Sequence, residues 1–157
     1  MRHTIVALME DKPGVLNRVA GLFRRRGFNI DSLAVGHGET AGISRMTVVV
    51  NGDDRTLEQV GKQLYKLVNI TKVYDLDAAT SVARELALIK VHATPSNRSE
   101  VIGLANIFRG SIVDVSPEAL IIEITGTEDK IESLLELLRP YGVKELSRTG
   151  VLAMARG

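Results

Sequence analysis

Residues 9 to 33 read MEDKPGVLNRVAGLFRRRGFNIDSL, and the way the chain turns inside this stretch decides the fold. A β-type run, Thr4 to Met9, stops at the polar loop Glu10-Asp11-Lys12-Pro13-Gly14. A helix follows at once, with Val15, Leu16, Val19, Leu22 and Phe23 on one apolar stripe. A helix that opens at a strand end leaves its first N–H groups without intrahelical partners and presents the positive end of its macrodipole, so it can hold a carboxylate or phosphate. Pro13 is tolerated because its missing N–H falls in the first turn, and Gly14 removes the Cβ that would bar a ligand from the backbone. Asp11 reads equally well as a helix N-cap or as a ligand contact. Asn29, just after the helix-ending Gly27, is expected to head the next strand and bring an amide back toward the same end.

Outward from this stretch the periodicities give strand, helix, strand, strand, helix, strand, and then the same order again. The first set of strands falls at Thr4 to Met9, Ile30 to Gly36, Arg45 to Val50 and Thr71 to Asp77, with a second helix carrying Leu57, Val60, Leu64 and Leu67. After the polar connection Ala78-Ala79-Thr80-Ser81, strands are expected at Glu85 to Ala93, Ser111 to Ser116, Leu120 to Thr125 and Val143 to Met154. The intervening helices begin behind a capping box, Asn97-x-x-Glu100, and behind Thr127. The fold class is therefore α+β, two tandem ferredoxin-like β-α-β-β-α-β sandwiches.

Composition excludes several functions. The net charge of +1 provides no field for nucleic acid or membrane, and without cysteine there is no disulfide, thiolate metal site or thiol nucleophile. His3, His37 and His92 share no ligand spacing, so no metal is expected. Glu10 and Asp11 lack a base or nucleophile partner, so they do not read as a catalytic pair. The run Arg24-Arg25-Arg26 reads first as a solvated helix face, with partner contact as the alternative. The start of the chain lacks the apolar region of a secretion signal, and no apolar run reaches membrane-spanning length, which makes a cytoplasmic location the expectation.

The first strand and the run Val48-Val49-Val50 are apolar on both faces. Helices cover only one face of such a sheet, so the other face, or the sheet edge, is expected to pair with a second copy of the chain.

DKPGVLNRVAGLF followed by RGFNIDSL resembles the ligand-binding signature of an ACT domain, with ISRMTVVV at 43–50 where that fold's third strand belongs. With REL-A-LIKV at 84–91 and IFRGSIVDV at 107–115, the whole chain is similar to the regulatory small subunits of acetohydroxyacid synthase, also called acetolactate synthase. The resemblance implies an ACT regulatory domain at 1–77, a linker at 78–83 and a C-terminal ferredoxin-like domain at 84–157. It implies a non-catalytic chain that binds and activates the catalytic subunit, confers feedback inhibition by valine or another branched-chain amino acid, and forms a homodimer through its ACT domains. No cofactor is expected in this chain; thiamine diphosphate, magnesium and FAD are expected in the catalytic subunit. The effector would meet amide donors at Gly14, Val15 and Leu16 beside Pro13, acceptors at Asn29 or Asp11, and an apolar slot at Leu16 and Ile30, and the resemblance implies a site between copies, one copy's Gly14 loop facing the other's strand that carries Asn29 and Ile30. An acylphosphatase-like enzyme lacks its residues here, an RNA-binding domain lacks its strand aromatics, and a transcription regulator lacks a helix-turn-helix. The remaining rival is a free-standing amino-acid sensor with another partner.

Overall fold

In the computed structural model, which describes residues 1–157, the first unit runs β1 (Arg2–Glu10), α1 (Val15–Arg26), β2 (Asn29–His37), β3 (Ile43–Asn51), α2 (Asp54–Tyr65) and β4 (Ile70–Leu76). The local signals account for the breaks. Gly27 ends α1 in the left-handed region at φ 67°, and its N–H returns to the carbonyls of Phe23 and Arg24. Asp53 caps α2 by accepting from the Thr56 N–H at 2.8 Å. The strands form an antiparallel sheet in the order β2-β3-β1-β4, the ferredoxin-like arrangement. Ile5, Ala7 and Met9 of β1 and Met46, Val48 and Val50 of β3 pack against Val19 and Phe23 of α1 and Val60 and Leu64 of α2.

The second unit, Arg84–Gly150, is built in the same way. Its elements are β5 (Ser81–His92), which starts three residues before the unit does, α3 (Arg98–Ile107), β6 (Ser111–Val115), β7 (Ala119–Gly126), α4 (Glu128–Leu138) and β8 (Val143–Arg148). The strand order is β6-β7-β5-β8. Thr127 caps α4 as its position implies, accepting from the Lys130 N–H. The capping box at α3 does not form. Asn97 turns its Oδ1 back to the Thr94 N–H at 2.7 Å, and Glu100 accepts from the Tyr141 hydroxyl at 2.7 Å, so the two side chains never meet. That bond to the Glu100 carboxylate raises the Tyr141 pKa. Glu85, 4 % exposed, is held by the Arg148 guanidinium at 2.6 and 3.1 Å, and Glu132 takes the remaining fork of the same arginine.

The end of the chain departs from the periodicity. The strand expected over Val143 to Met154 breaks at Gly150, where φ is +83°, and residues 151–157 join the first unit. There β9 (Leu152–Ala155) pairs with β5, and the Arg156 N–H donates to the Thr80 carbonyl at 2.8 Å. Arg45 on β3 donates to the Ala153 carbonyl at 2.8 Å, and the Val151 N–H donates to Ser32 Oγ on β2 at 2.8 Å. Both partners lie on the sheet face turned away from the helices, since Arg45 aligns with Leu8 and Ser32 with Val49. On that face Val6, Thr47 and Val49 are buried, as are Val151 and Ala153 of the closing segment. The two-sided apolar strands are thus covered by the chain's own last residues, which corrects the expectation that a second copy must cover this face.

Ala153→Asp puts a polar, larger side chain in place of a buried methyl in this apolar layer. Urea denaturation should show a loss of about 2 to 4 kcal/mol, and a loss under about 0.5 kcal/mol would contradict the packing described.

Candidate functional site

The loop that joins β1 to α1 is shaped by its own backbone. The Asp11 N–H donates to the Gly42 carbonyl at 2.8 Å, and the Val15 N–H donates to the Lys12 carbonyl at 3.3 Å. Gly14 occupies the N-cap position at φ 83° and ψ −8° with no side-chain cap. The amides of Gly14, Leu16 and Asn17 are left without hydrogen-bond partners at the helix mouth. Val15 is not among them. Its amide is taken by Lys12 and its side chain is buried in the core, so it serves the fold rather than the mouth.

Charged groups ring this mouth. Asp11 Oδ2 lies 3.1 Å from His37 Nδ1, which ties the loop to the end of β2 and occupies the carboxylate that an ammonium group would seek. Lys12 pairs with Glu10 at 2.7 Å, and that hydrogen bond and charge hold the Glu10 carboxyl below its ordinary pKa. Arg18, one turn along α1, folds back until its Nη1 lies 3.3 Å from where a Gly14 Cβ would stand, while its other terminal nitrogen donates to Asn69 Oδ1. The Asn69 carbonyl in turn receives the Glu10 N–H at 2.9 Å. The mouth therefore offers three free amides and a guanidinium to an anion, with Pro13 at its rim and the half-exposed Leu16 side chain beside it.

Asn29 and Ile30 are not there. Asn29 aligns with Asn51, which aligns in turn with Arg2 at the start of β1, whereas the loop after Glu10 lies beyond the other end. The twelve residues of α1 carry the chain back along the sheet, so β2 begins where β1 began. Asn29 and His37 are the two ends of the nine-residue β2, roughly 26 Å apart at the usual rise per residue. The expectation that Asn29 returns to the same end is therefore wrong within one copy of the chain. Ile30, half-buried, packs against the first core, while Leu33 and Val35 stand exposed along β2. Of the residues that sequence reasoning missed, Arg18 was within reach, because it follows Gly14 by one helical turn. His37 and Asn69 come from distant segments and carry no local signal.

Two families match the chain and meet near the boundary between the units, although the C-terminal one takes in residues 151–157, which belong to the first unit. The family described as "Small subunit of acetolactate synthase" matches residues 84–157, and the family described as "AHAS small subunit-like ACT domain" matches residues 5–72. A probable acetolactate synthase small subunit of Methanothermobacter thermautotrophicus is 61% identical over 156 residues, covering 99% of this chain and 93% of the relative. One from Archaeoglobus fulgidus is 59% identical over 157 residues, covering 100% and 98%. The crystal structure of the acetolactate synthase small subunit from Thermotoga maritima is similar with a TM-score of 0.95 at 48% identity, covering 100% of this chain and 98% of that one.

The left-handed Gly14 gives a direct check on this geometry. Gly14→Ala should lower stability by about 1 kcal/mol through backbone strain, read as a fall in the thermal midpoint, while an unchanged midpoint would mean that the mouth is not held in this conformation.

Proposed function

The chain belongs to the acetolactate synthase small subunits, regulatory partners of a catalytic subunit, and we propose that it raises that subunit's activity and makes it subject to feedback inhibition by valine or another branched-chain amino acid. In this reading thiamine diphosphate, magnesium and FAD reside in the catalytic subunit, and this chain contributes an effector site. The effector's carboxylate lies against the amides of Gly14 and Leu16 with Arg18 beside them, and its side chain lies along Leu16.

The observation that carries this reading is the separation of Asn29 from the mouth at Gly14. A site using both groups needs two copies of the chain. Of the two sheet edges, β4 is closed, since the Tyr65 hydroxyl donates to the Val73 carbonyl and accepts from its N–H, both at 3.0 Å. The β2 edge carries the exposed Leu33 and Val35. A two-fold axis that pairs β2 antiparallel with its copy about Leu33 sets Asn29 opposite the partner's His37, the residue that holds Asp11 at the mouth. Each dimer then contains two sites, with donors from one copy and the Asn29 amide from the other. Leu33 and Val35 are covered at the same seam. An effector that binds across this seam changes the stability or shape of the dimer, and a coupling of about 1 to 3 kcal/mol to the catalytic subunit is enough for feedback.

Subunit mixing tests the composite site. Leu16→Asp and Asn29→Ala should each raise the valine concentration for half-inhibition about tenfold or more while activation persists. A refolded one-to-one mixture should regain sensitivity in part, because the mixed dimer restores one complete site. If the mixture stays as insensitive as its parents, donors and acceptor do not come from different copies.

A further inference from the structure

The groove between α2 and β4 takes no part in the effector site. Asp54, Leu57, Glu58, Gly61 and Tyr65 follow one another at helical spacing along one side of α2 and face Val73 and Asp75 across a cleft of about 260 Å³. Its floor is apolar, with Ile5 beneath and Leu57 and Val73 half-buried on the walls. Its rim is acidic. Glu58 is partnered by Lys62 at 2.9 Å, whereas Asp54 and Asp75 are exposed and have no cation paired with them.

Gly61 sits in the interior of a twelve-residue helix, where glycine is less favourable than alanine, and a Cβ at this position would meet nothing within 4 Å. Neither packing nor backbone conformation calls for glycine here. Its effect is to leave the middle of the groove open. At one end the Tyr65 phenol bridges both backbone groups of Val73, so an added strand cannot pair there, while a single side chain can still enter from above.

We propose that this groove seats a basic side chain, arginine or lysine, projecting from the docking surface of the catalytic subunit. The aliphatic stem lies on Leu57 and Val73 in the gap above Gly61, and the cationic head lies between the carboxylates of Asp54 and Asp75. The inference rests on the regulatory-subunit reading and adds to it the face that docks. Unpaired carboxylates on both walls and an apolar floor match the two parts of such a side chain. Rim charges of this kind act mainly on the rate of encounter and give docking its salt dependence.

The test titrates the small subunit into its cognate catalytic subunit and reads activity and direct binding. The triple variant Asp54→Asn, Glu58→Gln, Asp75→Asn and the groove-filling variant Gly61→Leu should each raise the half-saturating concentration about tenfold. The triple variant should also lose most of the salt dependence. The isolated variants should remain folded, Gly61→Leu with a thermal midpoint at or above wild type, and the valine midpoint at saturation should stay at its wild-type value. The control pair Asp129→Asn and Glu136→Gln, exposed acids on α4, should leave the titration unchanged. Titration curves for both groove variants that superimpose on wild type would overturn the inference, as would an equal shift in the control. A wild-type chain that does not bind the catalytic subunit at all would overturn the regulatory reading, and this inference with it.

Discussion

The length of α1 is the constraint on which the first unit depends. Twelve helical residues rise about 18 Å, enough to return the chain along the sheet before β2 begins. The free amides at Gly14, Leu16 and Asn17 are thereby fixed at one end of the sheet, and the start of β2 with Asn29 at the other. In the proposed function this separation makes the helix mouth one half of a site shared between two copies. An isolated copy holds amides and a guanidinium at one end and an exposed side-chain amide at the other, too far apart for one amino acid to touch both.

The same strands raise a second demand, because β1 and β3 carry apolar residues on both faces. Helices α1 and α2 cover one face, and the chain's final residues reach the other, anchored at Arg45 and Ser32. With that face covered internally and the β4 edge closed by Tyr65, the β2 edge remains as the part of the first sheet with unpaired backbone and exposed aliphatic side chains. Folding thus narrows the routes by which two copies can meet. In the second unit the buried Glu85 is matched by Arg148, so a charge that would be costly alone becomes part of the framework.

Much of this was legible in the sequence where the cause was local. The left-handed glycine after α1, the aspartate before α2 and the threonine before α4 act through bonds only three or four residues long, and periodicity placed the core residues of both units. The failures share a physical character. Asn97 and Glu100 have the spacing of a capping box, but Thr94 and Tyr141 compete for them and win. Val151 and Ala153 alternate like a continuing strand, yet their partners lie more than a hundred residues earlier, at Arg45 and Ser32. Within one copy Asn29 was misplaced because loop chemistry was read without following the direction of α1 along the sheet. The tie between Asp11 and His37 had no signal in sequence at all.

Under the function proposed above, the effector is detected through the association of two copies, each supplying half of the site. The most direct measurement is a crystal of the chain grown with valine. The account predicts density for the amino acid between the amides of Gly14, Leu16 and Asn17 in one copy and Asn29 in a two-fold-related copy, with β2 strands paired antiparallel between them. Valine bound wholly within one copy, or a helix mouth left open to solvent with no second copy across it, would contradict it.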